Sequence, residues 1–210
     1  MRGVCPVVCC TERDPPLQLP WMSIILYHAD ACPYCVRTRL VLDGKGVEYE
    51  SVDVDLRNKP PWLREMNPRN RVPVIRNGDV VLSESEALDE YVDELYPDPP
   101  MMPPDPAGRA WVRILMRRFE DVSDPYYAVR RGEQGAEEEL RSKLAMTEEL
   151  LSATPYLAGP AYTLADPGYW PWIARLPSLG VSLDDYPAVT AWRSLLERRP
   201  EYAAELSLLS

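Results

Sequence analysis

The spacing of apolar and polar positions divides the chain into two unlike halves. Residues 23–27 (SIILY) form an apolar run of strand length. In residues 32–42 (CPYCVRTRLVL), Val36, Leu40 and Val41 recur at helical spacing, and Pro33 stands early, where its missing N–H leaves nothing unpaired. Gly44 and Gly46 mark the end of that helix. Residues 47–54 (VEYESVDV) alternate with period two, as a half-buried strand does. A short helical piece is expected at 60–66, then strands at 72–76 and 80–82, joined by Asn77-Gly78, a pair suited to a tight hairpin. Leu88, Tyr91, Val92 and Leu95 give residues 85–96 one apolar helical side. The order β-α-β-α-β-β-α predicts a small α/β domain over 22–96, with a parallel βαβ pair and an antiparallel hairpin at its edge.

Six prolines in residues 97–106 (PDPPMMPPDP) exclude a helix or central strand there and predict a stiff linker. Beyond it the pattern is helical, so 107–210 is expected as an all-α domain. Helices are expected at 109–122, extending toward 130, at 136–151, after Thr163, and at 187–199 with a short terminal piece. Thr163, with Asp166 three residues on, is a variant capping box. Residues 1–21 show no periodic apolar pattern and carry Cys5, Cys9, Cys10 and four prolines. They read either as a disordered extension ahead of Met22 or as a redox or metal segment built from three thiols. The long apolar core and cleavage site of a secretory signal are missing.

Charge narrows the partners. With 33 acidic and 23 basic side chains the net charge is −10, which opposes general adhesion to phosphate backbones and anionic lipid. No nucleic-acid or membrane partner is expected, and no apolar run approaches the ~18 residues of a membrane span. Five cysteines is an odd number, and only two have a motif spacing, so a disulfide scaffold is not expected. The chain reads as cytoplasmic, with thiols kept reduced.

The chemistry centres on Cys32-Pro33-Tyr34-Cys35, between a strand and a helix. A helix N-terminus presents unpaired N–H groups and about half a positive charge, which stabilise a thiolate. Cys32, at that end, is expected as the nucleophile. Cys35, one turn in, can resolve a mixed disulfide. Half a zinc site is the rival reading, but it needs two further ligands at similar spacing, and no metal is expected. Arg37 and Arg39 are expected on a solvated face. His28, the single histidine, either tunes the thiolate or is structural.

Segment 22–96 resembles the thioredoxin-like domain of glutathione transferases, and 107–210 their helical second domain. RTRLVLDGKGV (37–47) and DLRNKPPWLREMNPRNRVPVI (55–75) resemble stretches of the omega class, and CPYC is also the glutaredoxin motif. The resemblance implies a glutathione transferase fold, glutathione as cosubstrate and a homodimer. Position by position, Val72-Pro73 matches the family's cis-proline turn, where the Val72 backbone pairs with the cysteinyl part of glutathione. Glu84 and Ser85 match the pair that holds the γ-glutamyl end, and Lys59 matches the residue that meets the glycyl carboxylate. The implied activity is thiol transfer, with glutathione bound to Cys32 as a mixed disulfide, extending to dehydroascorbate-type reduction. Omega-class proteins usually carry one cysteine in the motif, so the second raises a dithiol route. Tyr27 stands roughly where other classes place an activating tyrosine; a packed strand end is the alternative.

Trp111, Tyr126, Tyr127, Trp170 and Trp172 are candidates to wall a substrate cleft facing Cys32, with a core role as the alternative. Arg109, Arg113 and Arg117 read as a solvated row. YPDPPMMPPDPAGR (96–109) and ARLPSLGV (174–181) also resemble stringent starvation protein A, which binds bacterial RNA polymerase and is not a transferase. That family has a histidine where this chain has Asp98, and it lacks a CxxC. A polymerase-binding regulator is therefore the second functional expectation.

Overall fold

The computed structural model describes residues 24–208, so the extension expected at 1–21 lies outside the described residues. Four strands form one mixed sheet in the order β2-β1-β3-β4 among those residues. β1 (Ile24–His28) runs parallel to β2 (Tyr49–Asp53), with Ile24 opposite Tyr49, and antiparallel to β3 (Val74–Asn77), with Ile24 opposite Asn77. β4 (Val80–Ser83) closes the expected hairpin, and Gly78 supplies the positive φ that its turn demands.

Alternation along β1 sends its side chains to two cores. Ile24 and Leu26 join Val36 and Leu40 of α1 (Pro33–Gly44) and Leu88 and Val92 of α3 (Ser85–Leu95) in the larger core. Tyr27 joins Cys35, Leu63 of α2 (Pro61–Met66) and Val74 in the smaller one, where its ring lies 5.3 Å from that of Trp62. Tyr27 is thus a packed strand end.

The rest is helical: α4 (Pro106–Arg118), α5 (Glu120–Arg130), α6 (Ala136–Ala153), α7 (Ala165–Ile173), a 3-10 turn (Leu176–Leu179), α8 (Pro187–Leu196) and α9 (Pro200–Ser207). The larger core continues from the sheet through α1 into Trp170, Trp172, Leu176 and Tyr202. No described helix is long and apolar enough to cross a membrane.

Three expectations change. The helix expected from 109 toward 130 is two helices meeting at Phe119. The proline-rich segment is seated rather than free: Met101 is 1% exposed, its N–H donates to Asp93 Oδ1 at 2.8 Å, and its carbonyl accepts from Leu164 N–H at 2.9 Å. Arg37 and Arg39 are buried rather than solvated, because α1 is covered by α3 and α7 as well as by α9. Arg37 Nε donates to Asp89 Oδ2 at 3.0 Å, beside Thr38 Oγ1 on the other carboxylate oxygen, and its guanidinium lies 4.8 Å from the centre of the Phe119 ring. Arg39 pairs with Glu205 of α9. Each pair carries a buried charge that loses its compensation if one partner goes.

Candidate active site

Cys32 caps the N-terminus of α1. Its backbone is extended, with φ −83° and ψ 115°, and its carbonyl accepts from Cys35 and Val36 N–H at 3.0 Å. Pro33 starts the helix with φ already fixed. Both cysteines are free thiols, with Cys32 partly exposed and Cys35 enclosed. The Cys32 thiol is lowered to about 7. The hydrogen bond from the Cys35 side chain is the largest cause; burial opposes it, and the N–H groups of Cys35 and Tyr34 and the charge of Arg175 add to it. Burial drives the Cys35 thiol far up, so Cys35 remains a protonated donor to its neighbour. The two sulfurs therefore differ: one is about half thiolate at neutral pH, the other a thiol that stabilises it.

This asymmetry sets a pH response. The rate of Cys32 alkylation by iodoacetamide is expected to climb as pH rises through about 7, where the thiolate forms, and to level off above it. An inflection at ~8.5, as for an ordinary free thiol, would contradict that environment.

A cleft of about 1070 Å³ opens over Cys32. Along one side stand Lys59, Val72, Pro73, Glu84 and Ser85, all five residues singled out as glutathione contacts by resemblance. The Val72-Pro73 bond is cis. Lys59 Nζ donates to the Asn70 carbonyl at 2.9 Å. Glu84 precedes α3 with φ 74°, a left-handed setting that costs a residue with Cβ ~1–3 kcal/mol and concentrates at ligand sites. Its carboxylate accepts from Arg69 Nη1 at 2.8 Å at the exposed rim. Ser85 opens α3, where unpaired helix N–H groups suit a carboxylate.

The opposite side is aromatic near Cys32 and charged further out. Tyr34 meets Phe119 edge-on at 5.9 Å and Trp172 at 5.1 Å, and Phe119 and Trp172 lie 5.0 Å apart. Tyr34, Phe119 and Tyr127 line the cleft, while Trp172 stands fully buried behind them. Burial raises both Tyr34 and Tyr127, the thiolate of Cys32 adding to each, so both phenols stay protonated beside the sulfur.

Of the proposed walls, Tyr127 alone reaches the cleft. Tyr126 and Trp170 point into the core, Trp170 with its ring 5.1 Å from that of Tyr202, and Trp111 is exposed on α4 away from the cleft. Phe119 and Arg175 were missed. Phe119 is the single phenylalanine of the chain, but nothing in its spacing marks it. Arg175 lies inside a segment quoted for resemblance alone, and its Nη1 donates to the Pro171 carbonyl.

His28 does not line the cleft. Its Nδ1 lies 2.9 Å from Arg39 Nη1 and its Nε2 faces Ser51 Oγ, a structural role. His28, Asp30 and Asp53 bring three ligand atoms within 4.8 Å of one another. The Arg39 guanidinium, 3.8 Å from Asp30, already supplies their positive charge, so a metal ion fits poorly.

Residues 26–100 match the N-terminal domain of glutathione S-transferases, and residues 101–200 match the C-terminal domain. The chain belongs to the glutathione S-transferase family of enzymes. It is similar to omega-1 glutathione S-transferase of Sus scrofa, 32% identical over 200 residues, covering 90% of this chain and 83% of the relative. It is also similar to a stringent starvation protein A homolog of Haemophilus influenzae, 39% identical over 155 residues, covering 70% and 72% respectively. Among solved structures, a glutathione transferase homolog from Sulfitobacter with bound glutathione superposes with a TM-score of 0.76. It is 26% identical, covering 87% of this chain and 96% of the other. Both halves of this glutathione S-transferase fold are therefore family-typical, and both sequence resemblances reappear among its relatives.

Proposed function

We propose that the protein is a glutathione-dependent thiol transferase acting through Cys32. The observation that carries this is the Cys32 thiol, lowered to about 7 by its buried neighbour and open to the cleft. In the proposed reaction the Cys32 thiolate attacks the glutathionyl sulfur of a mixed disulfide, R–S–S–G. The S–S bond breaks, its electron pair leaves on R–S⁻, and that thiolate takes a proton from water. Glutathione remains as a Cys32 disulfide, held by Lys59, the Val72 backbone, Glu84 and Ser85. A second glutathione thiolate attacks the bound glutathionyl sulfur, releasing glutathione disulfide and restoring the Cys32 thiolate. Conjugation to apolar electrophiles is a weaker fit. A cysteine beside the glutathione sulfur favours disulfide formation instead.

A coupled assay with glutathione, its reductase and a small glutathione mixed disulfide tests this reading. Turnover well above the uncatalysed rate is expected. Its absence in protein with reduced thiols would sink the proposal and favour the second reading, an RNA polymerase-binding module, which a pull-down of the polymerase would check. The stringent starvation protein A likeness supports that alternative, but a binding module has no use for a cysteine held near neutral pKa. The family reading also proposes a cytoplasmic homodimer. Exposed Val80 and Val81 on β4 and Trp111 and Ile114 on α4 offer apolar surface for it. Sedimentation showing a mass near the 23.9 kDa of one chain would refute the dimer.

A further inference from the structure

On its charged side the cleft contains one cation, Arg130, that no described residue pairs. Most arginines around α4 and α5 are tied to acids: Arg109 to Glu94, Arg113 to Glu90, Arg117 to Glu120, Arg118 to Asp121 and Arg131 to Glu133. Arg130 has no ion pair or hydrogen bond from its guanidinium to any described residue, yet it lines the cleft with Cys32 and Tyr127. Tyr127 and Arg130 both belong to α5, three positions apart and so on one helix face, with Arg130 ~4.5 Å further along the axis. Tyr127 lines the cleft together with Cys32 and Tyr34. Arg130 therefore lies about one helical turn outward from the reacting sulfur, on the wall opposite Lys59, Val72, Glu84 and Ser85. The cleft's other unpaired arginine, Arg71, adjoins Val72 and belongs to the glutathione side.

Given thiol transfer at Cys32, the reading on which this rests, the geometry points to Arg130 as a specificity-determining residue that binds a carboxylate on the non-glutathione half of the disulfide. The preferred substrates are mixed disulfides of glutathione with an anionic thiol whose carboxylate lies a few bonds from its sulfur. With the glutathionyl half on the Lys59–Ser85 side, the leaving R–S⁻ faces Tyr127 and its carboxylate reaches Arg130. The guanidinium can take that carboxylate in two parallel hydrogen bonds. Glu120, the acid of α5 that lines the cleft, is already held by Arg117 at 2.7 Å and does not compete, while Asp124, nearer in sequence, does not line the cleft.

Three glutathione mixed disulfides of similar size separate the charge from the chemistry: those of mercaptopropionate, mercaptoethanol and cysteamine, anionic, neutral and cationic. The wild type is expected to favour them in that order by kcat/KM. In Arg130→Gln the anionic-to-neutral ratio should fall about tenfold, the usual scale of a lost charge-assisted pair. Arg130→Lys should keep most of the ratio, and Arg130→Glu should place the cationic disulfide ahead of the anionic one. Arg130 is exposed, so these variants should melt with the wild type. A ratio within twofold of wild type in Arg130→Gln overturns the inference. So does a rise in the KM for glutathione that is equal with all three disulfides, because Arg130 would then serve the incoming thiol. A wild type that turns over none of the three fails at the earlier step, the thiol-transferase reading itself.

Discussion

Replacing Cys32 with serine is expected to lower mixed-disulfide turnover by ~10³-fold or more, the scale seen when an enzyme loses its nucleophile. A serine hydroxyl stays protonated where the Cys32 thiol, at about 7, is half ionised at neutral pH. The phenols of Tyr34 and Tyr127 remain protonated beside it and cannot take over as nucleophile. The fold should be unaffected, since Cys32 makes no side-chain cap to its helix. Cys35 separates two further mechanisms. Cys35→Ser keeps a donor under Cys32 and removes the resolving thiol. Preserved turnover in it means that a second glutathione resolves the adduct; loss means that the dithiol route is required. Cys35→Ala removes the donor as well, so its alkylation profile should shift to higher pH, because the Cys35 hydrogen bond is the largest cause lowering Cys32. A Cys32→Ser enzyme with turnover near wild type would rule out Cys32 as the nucleophile.

How far the sequence revealed this site depends on whether the cause was local. The Cys32-Pro33 start of α1 and the Asn77-Gly78 turn are set by neighbouring residues, and both stand where the pattern placed them. Lys59, Val72, Glu84 and Ser85 are different. Nothing in their own spacing joins a surface lysine to a helix start, and only the family resemblance put them together before the cleft did. Arg37 and Arg39 were beyond local reasoning, because Asp89 and Glu205 lie 52 and 166 positions away and α1 is covered from directions its own pattern does not record. The aromatic wall was legible only in part, for a related reason. Tyr126 and Tyr127 differ by about 100° around α5, so one must face the core when the other faces the cleft. Helical spacing shows the two faces, and the docking of α5 against α6 and α7 decides which holds the substrate. Arg130 escaped notice because an unpaired arginine is visible only once its neighbours' partners are known.

The segment that opens α7 carries the second large effect. Thr163 and Asp166 were legible as a capping pair, and Asp166 turns out to hold more than its own helix. Fully buried, its Oδ2 accepts from Thr163 N–H at 2.8 Å, and its Oδ1 accepts from Leu157 N–H at 3.1 Å and from Trp192 Nε1 of α8 at 2.8 Å. One carboxylate thus ties the start of α7, the turn before it and α8 around the core that carries Trp170 and Trp172. Burial raises this carboxyl to about 6 despite its donors, so its desolvation is heavy and its partners matter. Asp166→Ala leaves three buried N–H groups without an acceptor, at ~1–3 kcal/mol for each such group. A loss of about 4 kcal/mol is expected, read as a lower urea midpoint at an unchanged slope. Asp166→Asn should recover little, because its NH₂ would turn a donor toward donors on whichever side it faced. A loss under ~1 kcal/mol in Asp166→Ala would mean that water replaces the carboxylate. Because Trp172 backs Tyr34 and Phe119 at 5.1 and 5.0 Å, loosening α7 should also raise the KM for the disulfide in the surviving folded protein. The Cys32 alkylation profile should move little, since its largest cause, the Cys35 hydrogen bond, belongs to α1 and only the smaller influence of Arg175, just beyond α7, could be loosened.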